Sequence, residues 1–146
     1  MFSETELHAR YEILQEHYRK VVRIEALTML DMARKDILPA VSRYGASLAS
    51  EVEAKQKIGV DTAYERETAA QVSELTGEMY RRVLHLESEM QQLESITDST
   101  EQSLFYKDHI LTAMADLRRA GDRLESLTAA DFWPFPTYGE LLIGVR

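Results

Sequence analysis

Apolar residues recur every three or four positions along most of the chain, which is the spacing of amphipathic helices. After a Ser3–Glu6 capping box, the first row is Leu7, Tyr11, Leu14, Tyr18 and Val21 or Val22. A second row follows without a break: Leu27, Leu30, Ile37, Val41, Tyr44, Leu48 and Val52. We therefore predict one helix over residues 1–58, which ends before Gly59 and is kinked near Pro39.

Two further helices are predicted from the same periodicity. One covers 61–97, with Asp61 as its N-cap and a seven-residue repeat of Val72, Met79, Leu86 and Leu93, flanked by Leu75, Val83, Met90 and Ile96. The other covers 99–127, is capped by Asp98 or Ser99, and buries Ile110, Ala113, Met114, Leu117, Ala120, Leu124 and Leu127. The predicted fold is all-α: a single domain over 1–146, with three long helices in an antiparallel bundle.

The three helices differ in predicted length, and the difference has a consequence. At 1.5 Å per residue the first spans roughly 80 Å, the second roughly 50 Å and the third roughly 40 Å. Folding back at Gly59, the second helix covers the first only as far as about residue 22. The row from Phe2 to Val22 is then left without a partner in this chain. We expect another subunit or an upstream domain to cover it.

The last segment, 128–146, departs from the helical pattern. Trp133 and Phe135 each precede a proline, which favours extended backbone, and Thr137 with Glu140 predicts one helical turn through Leu142. This aromatic tail either folds onto its own bundle or a neighbour, or serves as a recognition peptide.

Composition and charge narrow the class of protein. The net charge is −8, and almost all of it lies in residues 51–101, which hold twelve acids and five bases. An acidic middle with no basic stripe argues against a nucleic-acid or anionic-membrane partner. The sequence contains no cysteine, which rules out disulfides and thiolate metal sites. No apolar run is long enough to span a bilayer, so a cytoplasmic protein is expected.

The sites that helical bundles commonly hold each require particular residues at particular spacings. A di-iron site needs Glu-x-x-His pairs, and none of His8, His17, His85 and His109 follows a glutamate at that spacing. The histidines are interpreted as surface or interface residues. Glu25, Asp31 and Asp36 do not share one helix face and are read as solvated charge. We predict no catalytic, cofactor-binding or metal-binding residue in this chain.

Two stretches resemble a known family. EALTMLDMARKDILPAVSRY (Glu25–Tyr44) and WPFPTYGELL (Trp133–Leu142) resemble the C-terminal region of type III glutamine synthetase, and FSETELHARYEILQEHY (Phe2–Tyr18) is similar to its lead-in. The region between about Glu51 and Leu127 matches only in helical character. The resemblance implies a parent enzyme that makes glutamine from glutamate, ammonia and ATP with divalent metal, as a ring-built homo-oligomer whose ligands lie in upstream domains.

The leading hypothesis is therefore a non-catalytic helical module that serves assembly or packs against a catalytic domain. A free-standing helical adaptor is the alternative, and a tail that closes over a neighbouring active site is a third. The upstream catalytic domain, identical subunits, or both are the expected partners. The predicted interface residues are Phe2, Leu7, Tyr11, Leu14, Tyr18, Val21, Trp133, Phe135 and Tyr138.

Overall fold

The structure, a computed structural model, describes residues 1–136 and shows three long helical rods that pack side by side. In chain order the elements are α1 (Glu4–Met32), a π-helical turn (Ala33–Ile37), α2 (Leu38–Lys57), α3 (Ala63–Glu94), α4 (Ser99–Phe105), a second π-helical turn (Tyr106–Ile110) and α5 (Leu111–Leu127). The first rod is α1 to α2, the second is α3, and the third is α4 to α5. The predicted all-α bundle of three long helices is confirmed.

The ends of the rods follow local chemistry. The Ser3 hydroxyl accepts the Glu6 backbone N–H at 3.1 Å while the Glu6 carboxylate accepts the Ser3 N–H at 3.1 Å, so the predicted capping box is present. Gly59, at φ +72°, stops the first rod in a conformation that favours glycine. The second rod begins later than predicted, with Thr62 rather than Asp61 at its N-cap position. The Asp98 carboxylate caps the third rod by accepting the Glu101 N–H.

The first rod continues through Pro39 by means of the wider π-helical turn directly before it. There the Leu38 N–H donates to the Ala33 carbonyl, five residues back. Proline has no N–H, and its ring crowds the carbonyl four residues earlier in a regular α-helix. In the π-helical turn the hydrogen bonds already reach five residues back instead of four. This wider turn accommodates both the missing N–H and the bulk of the proline ring. The sequence predicted a disturbance at this position but not its form.

The core runs along α3, which faces both other rods. The four residues of its predicted seven-residue repeat, Val72, Met79, Leu86 and Leu93, are buried, as are the flanking Leu75, Val83 and Met90. Ile96, the fourth flanking residue, lies beyond the end of α3 and is only half-buried. The third rod contributes Ile110, Ala113, Met114, Leu117, Ala120 and Leu124, as predicted, whereas Leu127 is only half-buried. In the first rod Leu27, predicted to be buried, is 45% exposed. The alanines Ala26, Ala33 and Ala40 of the same rod are buried instead, at 0%, 1% and 0% exposure.

Within residues 1–136, two ion pairs join the first rod to α3. Arg34 donates to both oxygens of Glu87, with 2.7 Å between Nη2 and Oε2, and this hydrogen bonding lowers the pKa of the Glu87 carboxyl. Lys55 donates to Glu65, which is only 5% exposed, and the pKa of Glu65 falls for the same reason. The sequence indicated Glu65 only as a favourable charge near a helix start. Both pairs fix the alignment of the first rod on α3.

Candidate functional site

The first rod extends beyond the bundle at its N-terminal end. Val22 is the first residue of α1 that is buried, and every residue from Met1 to Tyr11 is exposed. We call residues 4–17 the overhang. No residue of the overhang is buried, although the first turns of the third rod form a cleft with Tyr11, Glu12 and Gln15 on one side of it. The position agrees with the length argument from the sequence, which put the limit of coverage near residue 22.

The overhang carries apolar side chains that the chain itself does not bury. Leu7 is 55% exposed, Tyr11 58% and Leu14 66%, while Tyr18 is half-buried where the bundle begins and Val21 is 38% exposed. We call these five residues the apolar stripe. Phe2 lies beside it, also exposed, with the Arg10 guanidinium 3.8 Å above its ring. An unpartnered apolar face of this length is typical of a surface that binds another protein.

A cleft of about 370 Å³ lies where the overhang meets the end of the third rod. One wall is α1, with Tyr11, Gln15 and Tyr18, and the other is α4, with Thr100 and the exposed Leu104. The two walls are tied at the base, where Arg19 donates to the Ser103 hydroxyl at 2.8 Å and to the Ser99 carbonyl at 3.4 Å. The cleft continues the apolar stripe sideways onto a second helix.

The opposite side of α1 has a second set of exposed apolar residues that the sequence reading missed. Ile13 is 65% exposed and Ile24 64%, and Leu27 joins them at 45%. Successive helix positions are about 100° apart, so Ile13 lies on a different face from Leu14. Ile13 and Ile24 are eleven positions apart and Leu27 follows three positions later, which is compatible with one helix face. The sequence-based prediction did not treat these three residues as a face of their own.

The described part of the aromatic tail folds onto the chain's own bundle. Trp133 is 8% exposed and belongs to the core, and Phe132 packs on Tyr44 with 5.2 Å between ring centroids. Phe135 is half-buried and meets Trp133 edge to face at 6.4 Å. Trp133 was predicted as an interface residue, yet it offers almost no free surface because its own chain covers it. Tyr138 and the predicted turn after Thr137 lie outside the described residues.

The fold brings together two of the four histidines that are far apart in sequence. The Glu89 carboxylate, 8% exposed, lies 3.2 Å from His109 Nδ1 and 3.8 Å from His85 Nε2. Both imidazoles are about half exposed, as predicted for surface residues, and His109 also stacks on Phe105 at 4.4 Å. The three side chains join α3 to the second π-helical turn.

The acidic residues considered as a site do not converge. Asp31 pairs with Lys35 at 2.6 Å, one helical turn along, which is the predicted i,i+4 contact. Among residues 1–136, no group of three or more His, Asp or Glu side chains is arranged to hold a metal ion. Over the same range, no helix is long and apolar enough to cross a membrane. The site with the most distinctive geometry is therefore the overhang with its cleft.

Comparison with known proteins gives a consistent family. Residues 1–56 match the family described as glutamine synthetase C-terminal domain. The chain is 32% identical over 148 residues to a glutamine synthetase of Butyrivibrio fibrisolvens, a match that covers 100% of this chain and 21% of the relative. It is 25% identical to a type-3 glutamine synthetase of Dictyostelium discoideum and 28% identical to a glutamine synthetase of Bacteroides fragilis, over 97% of this chain and 20% of each relative.

The chain thus spans about a fifth of the length of the curated relatives it matches. The matched family segment contains two of the three stretches on which the resemblance rested, Phe2–Tyr18 and Glu25–Tyr44, but not Trp133–Leu142. Similarity to the relatives extends through the second and third rods to the aromatic tail. By the match over residues 1–56 and the similarity along its whole length, the chain resembles the C-terminal domain of glutamine synthetases, with a type-3 enzyme among the relatives.

Proposed function

We propose that this domain is a non-catalytic module of an ATP-dependent glutamate–ammonia ligase, in which it packs against the catalytic part and supports assembly into a homo-oligomer. The overhang is the observation that carries the proposal. The overhang is helical for more than three turns and exposes the apolar side chains Leu7, Tyr11 and Leu14. Burial of these side chains against another protein surface would be favourable because it removes apolar surface from water. A cytoplasmic location is part of the same proposal.

A structural role is supported by what the charged groups in the bundle do. Glu65 and Glu87 each accept a hydrogen bond from a base on the first rod, and Arg19 ties α1 to α4. These contacts align helices and do not face a common cavity. In the parent enzyme, as the family resemblance implies, ATP, divalent metal and glutamate would be bound by upstream domains.

The proposal is tested in the complete glutamine synthetase polypeptide that carries this region. Leu14→Asp places a charge in the apolar stripe, and the matched control, Ala46→Asp, places one on an exposed position of α2. We expect the first variant to give smaller particles in light scattering and lower ligase activity per subunit, with the control unchanged. Native particle size and activity in both variants would contradict an assembly role for the overhang.

The alternative is a free-standing adaptor that binds another protein through the same overhang. The structure of the overhang is compatible with both functions, so the discriminating observation is genetic. An uninterrupted reading frame upstream that encodes the catalytic domain supports the enzyme module. A stop codon followed by a ribosome-binding site directly upstream of Met1 would support the adaptor.

A further inference from the structure

The overhang and the cleft beside it form one continuous surface with exposed apolar side chains. We propose that they bind a second copy of this chain, whose own overhang runs antiparallel along the apolar stripe and ends in the cleft. This inference rests on the proposed assembly function and names the partner of the same surface. By two-fold symmetry, each copy would fill the cleft of the other.

The spacing of the stripe fits a two-helix seam. Its five residues are separated by four, three, four and three positions, which is the repeat that keeps one helix face against a partner helix. In the bundled half of the rod the buried positions also include Ala26, Ala33 and Ala40, so that the buried face is wider and serves two neighbours. The narrower stripe on the overhang is suited to one partner helix.

The cleft selects the antiparallel orientation. Two parallel overhangs would place both bundles at the same end and leave the apolar walls of both clefts, Tyr11 and Leu104, open to water. In the antiparallel seam, Tyr11 lies opposite Leu14 of the partner subunit, and Tyr18 opposite Leu7 of the partner subunit. This register brings the first turn of each overhang to the other's cleft, beside Leu104.

Charge in the cleft favours the same arrangement. The cleft is lined by the bases Arg19 and Lys107 and by one acid, Glu12. The first turn of α1 carries two acids, Glu4 and Glu6. Arg19 already donates to Ser103, which leaves Lys107 as the base that reaches an incoming carboxylate. The contact we assign is between Lys107 and Glu4 of the partner subunit.

The first experiment measures the mass of the complete 146-residue chain by light scattering across a dilution series. We expect a dimer of the 16.8 kDa chain, weakened roughly 100-fold or more by Leu14→Asp because both copies then bury an unpaired charge. Ile13→Asp is the matched control, since Ile13 is equally exposed but lies off the stripe, and it should leave the dimer intact. Circular dichroism must show the same helix content in all three proteins.

A monomer at every concentration would overturn the inference, as would equal effects of the two substitutions. Such a result leaves the proposed function standing if Leu14→Asp still disrupts the complete enzyme, because the stripe would then contact the catalytic part. If Leu14→Asp affects neither the dimer of this chain nor the complete enzyme, both the dimer and the proposed assembly function are wrong.

The orientation is tested with single cysteines, because the chain has none of its own. Mixing Tyr11→Cys with Leu14→Cys chains under mild oxidation should give mainly the mixed disulfide dimer. A parallel seam would instead give rapid Leu14→Cys homodimers, which would overturn the antiparallel arrangement.

The cleft contact is tested by charge reversal. Lys107→Glu should weaken dimerisation roughly 3- to 10-fold, since the contact occurs twice per dimer and each pair is partly exposed to solvent. Combining Lys107→Glu with Glu4→Lys should restore the dimer. If the double variant is no tighter than Lys107→Glu alone, the assigned contact is wrong.

Discussion

The two halves of α1 have similar apolar periodicity, but one half packs in the bundle and the other is exposed to solvent. From Val22 onward one face of the helix, with Val22, Ala26 and Leu30, is buried in the bundle, whereas the overhang keeps Leu7, Tyr11 and Leu14 more than half exposed. Periodicity therefore shows that a helix has a face to bury, while the lengths of the neighbouring elements decide whether its own chain buries it. The difference separates residues that stabilise the domain from residues available to a partner.

The largest expected difference in stability is between a leucine-to-alanine substitution in the bundle and the same substitution in the overhang. Leu86→Ala, at a side chain with no exposure, should lower the free energy of unfolding by about 2–5 kcal/mol because it removes buried surface and leaves a cavity. Leu14→Ala, at a side chain that is 66% exposed, should change it by less than about 0.5 kcal/mol. Urea unfolding of dilute protein measures both. Comparable losses would mean that the overhang is covered within the monomer.

Much of the bundle could be predicted from the sequence because large apolar residues mark it. The repeat from Val72 to Leu93 identified the buried side of α3, and Gly59 marked the end of the first rod. The overhang followed from helix lengths alone. The two π-helical turns left no sequence signal beyond Pro39, since they depend on how the rod meets its neighbours.

The residues whose surroundings differ from the prediction all depend on contacts between elements that are distant in the sequence. Leu27 is exposed and Ala26 is fully buried, because close approach of two helices favours a small side chain, which hydrophobicity alone does not indicate. Trp133 was predicted to lie at an interface, and it packs into the chain's own core, which is one of the placements that the sequence left open for the tail. Glu65 and Glu89 are buried carboxyl groups that contact Lys55 of α2 and His109 of the second π-helical turn, and spacing along one helix could not reveal these two contacts.

A smaller effect on stability is expected when an alanine is enlarged at the buried position Ala26, compared with the exposed position Ala9 of the same helix. Ala26→Leu should destabilise the domain by about 1–3 kcal/mol, because the larger side chain must displace packed neighbours. Ala9→Leu, on the overhang, should be neutral within about 0.5 kcal/mol. Thermal unfolding by circular dichroism compares the two. A neutral Ala26→Leu would show that the rods can separate at this level at little cost.

The smallest effect concerns the charged contacts that hold the bundled half of the rod. Hydrogen bonding from Lys55 lowers the pKa of the Glu65 carboxyl below its ordinary value of 4.5. A carboxyl whose pKa is lowered by folding stabilises the fold above its unfolded pKa, and this contribution is lost as the pH falls through the folded value. The urea midpoint should therefore decrease as the pH is lowered from about 6 to about 3.

Glu65→Gln should lower the midpoint at neutral pH and flatten its decrease in acid, because the substituted side chain has no proton to gain. The matched control is Glu53→Gln, which removes an exposed pair with Lys57 at 3.6 Å and should leave the slope unchanged. The same pair raises the pKa of Lys55, so its contribution should also decline at alkaline pH, as the lysine loses its proton. Equal slopes for Glu65→Gln and the unsubstituted chain would show that the fold draws no pH-dependent stability from this contact. The alignment of the first rod on α3 would then depend on apolar packing.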